Sequence, residues 1–164
     1  MIALVLPYPP SANRYWRHGT IKGRAAVFLS KEAKDYKAVV AHMAKAAGIR
    51  QPHPGRTALT IRLYPNRPQD WARRARRDPE TWDDTVQCID LGNCEKVLSD
   101  ALNGVAWVDD KKHRRIVLER MEPDEKGARV EVEIEFIAIA RSLWDAPTSA
   151  DPRARAHVCS GAAA

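Results

Sequence analysis

The sequence predicts an α/β domain of the α+β kind, a single compact unit in which a mixed β-sheet is covered by helices. Three observations carry this. Leu59, Ile61 and Leu63 alternate with Thr60, Arg62 and Tyr64, and Val130, Val132, Ile134 and Phe136 alternate with Glu131, Glu133 and Glu135; a period of two marks a strand with one buried face. Two other stretches repeat apolar residues every three to four positions, the period of a helix packed on one side. At 164 residues the chain is long enough for one core and too short for two comfortable domains.

The elements follow in order. Ile2 to Leu6 reads as a first strand, broken by Pro7, Pro9 and Pro10. Thr20 to Phe28 reads as an extended, hairpin-like segment around Lys22-Gly23. Ser30 is a good helix cap, and the helix behind it puts Tyr36, Val39, Val40, Met43 and Ala47 on one face until Gly48 ends the run. After the strand at 59–63, the Pro-bounded stretch from about 65 to 88 sets Arg67, Arg73, Arg74, Arg76, Arg77 and Trp71 beside Asp70, Asp78 and Glu80. Its charges nearly cancel, which favours a mixed-charge surface loop over a DNA-reading one. A second helix, with Asn93 as its cap, packs through Cys94, Val97, Leu98, Ala101 and Leu102 and stops at Asn103-Gly104. Val105 to Val108 then reads as a short buried strand, and another lies near Ile116 to Leu118. The domain is expected to occupy residues 1–140, with 141–164 a disordered tail rich in Ala, Pro, Ser and Arg that Leu143 and Trp144 could anchor.

Chemistry concentrates between Asp90 and Asp110, DLGNCEKVLSDALNGVAWVDD, where two carboxylate clusters are joined by a helix carrying a lysine. An ionised aspartate is an acceptor-only oxygen ligand suited to magnesium, and a hard cation held by one or two carboxylates can orient a phosphodiester and activate its attacker. Asn93, Lys96 and Asp100 share the helix face away from the core. Lys96 beside a metal could stabilise charge developing in a transition state. Its bland alternative is a surface ion pair with Asp100, worth only about 0.3–0.5 kcal/mol. Asp100 is expected to orient Lys96 rather than bind metal, and Asn93 is equally a cap or a site residue. If the strand at Val105–Val108 continues, Asp109 and Asp110 point to opposite faces and only one of them can turn toward Asp90.

At these residues the chain resembles the RusA family of Holliday junction resolvases. That family carries two aspartates flanking one residue, then Asn, then a lysine three residues further on. The matching letters here are Asp90, Leu91, Gly92, Asn93 and Lys96, followed by Asp100-Ala101-Leu102 and the Asp109-Asp110 pair. The N-terminal run from Leu6 through Pro7-Tyr8-Pro9-Pro10-Ser11-Ala12-Asn13-Arg14-Tyr15-Trp16 to Arg17-His18 is close to the family's opening signature. The resemblance covers about four-fifths of the chain and implies a RusA-like fold, with the 65–88 stretch longer than a minimal member needs. It further implies a magnesium-dependent endodeoxyribonuclease, with manganese as a substitute, that works as a homodimer and nicks a four-way DNA junction in pairs during recombination and repair. Asp90, Lys96 and Asp110 would be catalytic, Asp90 and Asp110 the metal ligands, and Asn93, Asp100 and Asp109 supporting residues. Glycine at 92 stands where the family's second aspartate would be, and Asp83, Asp84 and Glu95 are the nearby acids that could replace it. The alternative reading is a junction-binding protein that has lost cleavage through Gly92. A small nucleotide phosphohydrolase is disfavoured because the basic segments extend beyond what one nucleotide requires.

Charge agrees with a polyanionic partner. The net charge is +6, and its distribution is more telling than its size. Arg14, Arg17, Lys22 and Arg24 lie in a segment without acid, while Lys111, Lys112, His113, Arg114 and Arg115 follow the aspartate pair, so basic residues bracket the site. Arg14, Arg17, Lys22, Arg24, Lys111 and Lys112 are therefore the candidates for backbone phosphate contacts. Tyr15 and Trp16 are as suited to a core or dimer contact as to stacking on bases. Cys88, Cys94 and Cys159 lack paired spacing, which points to a reduced, cytoplasmic protein without a zinc site, with Cys94 in the core. No apolar run approaches the roughly 20 residues needed to span a bilayer, and Met1 to Leu6 is too short for a signal-peptide core.

Overall fold

Two sheets and four α-helices build residues 1–138, the part of the chain that the structure, a computed structural model, describes. The predicted tail, with Leu143, Trp144 and Cys159, lies outside the described residues. In chain order the elements are β1 (Ile2–Pro7), α1 (Ala12–Tyr15), β2 (Trp16–Ile21), β3 (Arg24–Leu29), α2 (Lys31–Ala46), β4 (Arg56–Tyr64), α3 (Trp71–Arg77), α4 (Leu91–Leu102), a 3-10 turn (Asp110–Lys112), β5 (His113–Arg120) and β6 (Arg129–Ile137). The main sheet has the order β1-β6-β4-β5. It is mixed, since β6 runs antiparallel to both β1 and β4 while β5 runs parallel to β4. A parallel pair requires a crossover, and α3 and α4 lie in it.

Alternation sets the faces. Leu4, Leu6, Leu59, Ile61, Leu63, Val130, Val132 and Ile134 are buried beneath α2 and α4. The opposite face is tied by charge: Arg62 reaches Glu119 at 3.0 Å and Glu133 at 2.6 Å, and Arg115 reaches Glu135 at 3.2 Å. In α2, Ala33, Tyr36, Val40 and Ala44 are buried at helical spacing, and the Ser30 side chain accepts from the Ala33 amide as its cap. Val39 and Ala47, expected on that face, are exposed, because the stripe that meets the sheet is narrower than the run of apolar residues.

Three expectations need correction, and one element was not anticipated. Val105–Val108 is not a strand: the Val105 and Ala106 amides both bond to the Leu102 carbonyl, and Gly104 turns at φ 77°. Ala106 and Trp107 are still buried, and Trp107 forms isolated bridges with His53 and Asn103. Alternation through Val108 therefore cannot decide which way Asp109 and Asp110 point. The hairpin is longer than the 20–28 segment, pairing Trp16 with Leu29 and closing at Ile21–Arg24. Lys22 (φ 51°) and Gly23 (φ 76°) form the two-residue turn, the positive-φ pair that matches strand twist in a hairpin. The 65–88 stretch is not simply a loop, because α3 forms within it. Finally, α1 is a single turn that the prolines before it concealed.

Replacing Leu98, 1 % exposed beneath the sheet, with Ala should lower the unfolding free energy by about 2–5 kcal/mol in urea titrations. Val39→Ala on the same layer of helices should stay within about 0.5 kcal/mol of the wild type.

Candidate active site

The site begins where α4 begins. Asp90, not Asn93, is the N-cap: its extended backbone precedes the first turn, and its carboxylate accepts from the Asn93 amide at 2.7 Å and from the Asn93 side chain. A carboxylate placed there satisfies an amide that the helix leaves unpaired and complements the helix dipole. Position is set one residue earlier. The Ile89 amide donates to the Tyr8 hydroxyl at 2.8 Å, and that hydroxyl donates to Cys88 Sγ at 3.5 Å. Tyr8 belongs to the proline-rich N-terminal run, so that run fixes the chain just before Asp90. Burial and the Cys88 contact push the Tyr8 hydroxyl pKa up. Cys94 is buried as expected, and desolvation pushes its thiol up to about 12.

Lys96 lies six residues along and leaves the helix toward Trp16, with Nζ 4.8 Å from the ring centroid. A cation over an indole face is attracted by the ring quadrupole and its aliphatic stem stays ordered. Trp16 is itself held edge-on by Tyr15, at 4.6 Å between centroids. Tyr15 is fully buried, and its hydroxyl donates to Asp100 Oδ2 at 2.6 Å; burial followed by this bond raises its pKa. Lys37 from α2 also donates to Asp100, at 3.1 Å. Asp100 thus does not orient Lys96 directly, as the helix spacing suggested. It ties α1, α2 and α4 together, and it acts on Lys96 through Tyr15 and Trp16. Asn93 and Lys96 line an open groove of about 720 Å³ with Ala12, Asn13, Trp16, His18 and Val27. Asn13 and His18 were not singled out as site residues in the sequence; Asn13 comes from α1, and the hairpin pairing sets His18 beside Val27.

The second acidic cluster opens the turn before β5. The Asp109 side chain accepts from the Lys111 amide at 3.0 Å and so caps the 3-10 turn, a bond that holds its carboxyl below the usual range. Asp110 is the first residue of that turn and exposed. His113 follows, its Nδ1 2.6 Å from Thr57 Oγ1 and its ring edge-on to Trp107 at 4.6 Å. His113 Nε2 and Trp107 Nε1 are buried without a hydrogen-bond partner. Burial lowers the His113 pKa, while Asp110, Glu95 and Asp109 pull it the other way. Glu95 also acts with Asp90 on Cys94. Its carboxylate accepts from Ser99 at 2.7 Å. Asp83 lies after Trp82, where its backbone carbonyl accepts from Arg120 at 2.8 Å, with Asp84 next to it. Among the described residues, no three His, Cys, Asp or Glu side chains stand close enough to hold a metal ion.

The basic candidates divide. Arg17, Lys22 and Arg24 are exposed along and at the tip of the hairpin, and Lys111 is exposed beside Asp110. Arg14 is paired with Glu32 at 2.7 Å, and Lys112 Nζ donates to the Pro54 carbonyl at 2.5 Å.

The sheet, the hairpin and the helices define an α+β protein in which the start of α4 and the N-terminal hairpin share a groove. Residues 7–135 match the family model described as Endodeoxyribonuclease RusA, and the chain belongs to that family. It is 33% identical over 137 residues to the crossover junction endodeoxyribonuclease RusA of Escherichia coli (strain K12), spanning 80% of this chain and 92% of the relative. The crossover junction endodeoxyribonuclease of Enterobacteria phage 82 is 31% identical over 136 residues, 80% of this chain and 91% of its own length. The Shigella sonnei protein of the same name is 31% identical over 137 residues, 80% and 92% of the two chains. Among the described residues, no helix is long and apolar enough to cross a membrane.

Removing the Asp100 carboxylate leaves the buried Tyr15 hydroxyl and Lys37 without their acceptor. Asp100→Ala should cost about 1–3 kcal/mol in urea unfolding, and Tyr15→Phe made on top of it should add little. His113 has its own signature. Because its folded pKa lies below the ordinary 6.5, its contribution is complete above that value and is lost as pH falls below it. Over that acid window the wild type should lose stability relative to His113→Asn, followed by urea midpoints across a pH series.

Proposed function

We propose that this protein is a structure-specific endodeoxyribonuclease that binds four-way DNA junctions as a homodimer and nicks them in pairs with magnesium, or manganese in its place. The observation that carries the reading is the shared groove in which Asn93 and Lys96 of α4 meet Asn13, Trp16 and His18 of the N-terminal signature. Two separate parts of the family's sequence pattern thus make one surface. A homodimer would present two such sites to a substrate that has approximate two-fold symmetry itself. A protein of this kind works in the cytoplasm, where recombining DNA is found.

The donor chemistry suits the metal. Asp90 and Asp110 are exposed, hard oxygen donors, and magnesium is commonly held by one or two carboxylates with water completing its shell. When bound, the ion would supply charge against the phosphate and lower the pKa of a bound water. In hydrolysis, oxygen from water bonds to phosphorus while one P–O ester bond breaks, and the leaving oxygen takes up a proton. Lys96 places its ammonium, steadied by Trp16, against negative charge growing on the phosphate oxygens. Asp90 does two jobs, capping α4 and offering a carboxylate toward the ion. Asp109 supports Asp110 by closing the turn on which Asp110 sits.

Gly92 leaves the family's second carboxylate position without a side chain. A Cβ built there would meet only Asp90 Oδ1, at the ordinary contact distance of 3.5 Å, so an aspartate fits the backbone. Gly92→Asp should raise both magnesium affinity, read by calorimetry, and the rate of junction nicking. Asn caps helices as well as Asp does, so Asp90→Asn tests charge without uncapping α4. That variant and Asp110→Asn should abolish nicking while junction binding in a gel-shift assay stays intact or tightens. Lys96→Met should lower turnover roughly 10²–10³-fold. Nicking at the wild-type rate by Asp90→Asn or Asp110→Asn would refute the assignment of the metal ligands.

A further inference from the structure

The arginines of the 65–88 stretch nearly cancel against its acids when counted along the sequence, but in the fold Asp70 and Asp78 are engaged by hydrogen bonds within the segment while Arg76 and Arg77 stay outside those bonds. Asp70 is used up inside the segment: one oxygen accepts from Arg74 Nε at 2.9 Å and the other from Arg73 at 3.1 Å. Asp78 accepts from the Thr81 hydroxyl at 2.5 Å and from the Thr81 amide at 3.3 Å. These bonds keep both carboxyls below the ordinary range. Arg73 makes one bond through one nitrogen and its side chain is 84% exposed. Arg76 and Arg77 are exposed in the last turn of α3. Beyond them, Glu80 is exposed as well.

The surface is built rather than loose. Trp82 is buried, donates from Nε1 to Glu122 at 2.9 Å, and lies 6.3 Å from Trp71 on α3. Arg67 lies over Trp71 at 4.6 Å. Arg120 of β5 clamps the returning chain through the Asp83 and Val86 carbonyls, at 2.8 and 3.0 Å. Between α3 and this return lies a hollow of about 540 Å³ lined by Arg73, Arg74 and Arg77 with Thr81 and Thr85, besides Asp70, Asp78 and Trp82. Arg74 and Thr85 also line the neighbouring hollow, which runs past Val86 and Gln87 to Cys88 and Ile89. Asp90 is the next residue. The arginine-lined cup therefore shares Arg74 and Thr85 with a hollow whose lining reaches Ile89, the residue before Asp90.

We infer that the α3 cup is a second phosphate-binding surface, one that holds the backbone of a duplex arm leading away from the active site. Guanidinium forks are donors matched to phosphate oxygens. Arg73, Arg76 and Arg77, all exposed on α3, suit a polyanion rather than a single phosphate. This rests on the proposed junction-cleaving function and adds to it a surface for arm length.

The test is the salt dependence of junction binding by the full chain carrying Arg73→Gln with Arg77→Gln, both exposed enough to leave the fold and melting temperature unchanged. Removing one phosphate-binding cation should make the plot of log affinity against log salt shallower by about one. The double variant should therefore show a slope shallower by about two and bind roughly ten-fold more weakly near physiological salt. Its deficit should vanish on junctions whose arms are too short to reach the cup. Lys45→Gln with Arg50→Gln, near the end of α2, serves as the charge-matched control and should leave the slope near that of the wild type. An unchanged slope in the α3 variant, an equal deficit in the control, or a deficit that persists on short arms would each overturn the inference. Failure of the wild type to bind or nick junctions would instead overturn the function on which it rests.

Discussion

Asp100 is the constraint on which the site depends. Its carboxylate, in the last turn of α4, receives the Tyr15 hydroxyl from α1 and the Lys37 ammonium from α2. Tyr15 has no exposed surface, and a buried hydroxyl without an acceptor is costly, so this bond holds α1 against α4. Trp16 follows Tyr15 directly and begins the hairpin. Its ring is consequently held beneath Lys96. Without Asp100 the N-terminal signature and the α4 motif would remain two motifs in one chain rather than two walls of one groove.

The sheet explains why α4 can bear this. It belongs to the crossover that the parallel β4–β5 pair requires, and its apolar face, Cys94, Val97, Leu98, Ala101 and Leu102, is buried in the common core. Chemistry is thereby restricted to the remaining face and to the helix ends. At one end Asp90 caps α4; after the other, buried Trp107 leads to the turn that carries Asp109 and Asp110. Tyr8 from the N-terminal run and Thr57 from β4 each hold a residue close to one of these acids. The backbone before Asp90 and the residue that follows the Asp110 turn are thus tied by hydrogen bonds from distant parts of the chain, while Asp90 and Asp109 themselves are held locally by Asn93 and Lys111.

Much of this was legible in the sequence. Alternation gave the faces of β4 and β6, and helical spacing gave the buried faces of α2 and α4, because burial imposes those periods directly. Ser30 was readable as a cap for the same local reason. What failed depended on contacts between distant residues. Asn93 is a good cap by type, but Asp90 takes the position because Tyr8 stops the chain one residue before it. Val105–Val108 has the composition of a strand, yet the last carbonyls of α4 and the backbone of His53 claim its amides. The partners of Asp100 and the platform under Lys96 come from the opposite end of the chain, where no spacing rule reaches. Charge counting along the 65–88 stretch could not reveal that Asp70 and Asp78 are engaged within it.

The central claim is that these contacts assemble a metal-dependent site for branched DNA. Its most direct measurement is incubation of the purified protein with a labelled four-way junction and a matched linear duplex, in magnesium, in manganese and in chelator. The account predicts paired nicks near the branch point of the junction, in either metal, with none in chelator and none in the duplex. Equal cutting of both DNAs, or junction cutting that survives the chelator, would contradict it.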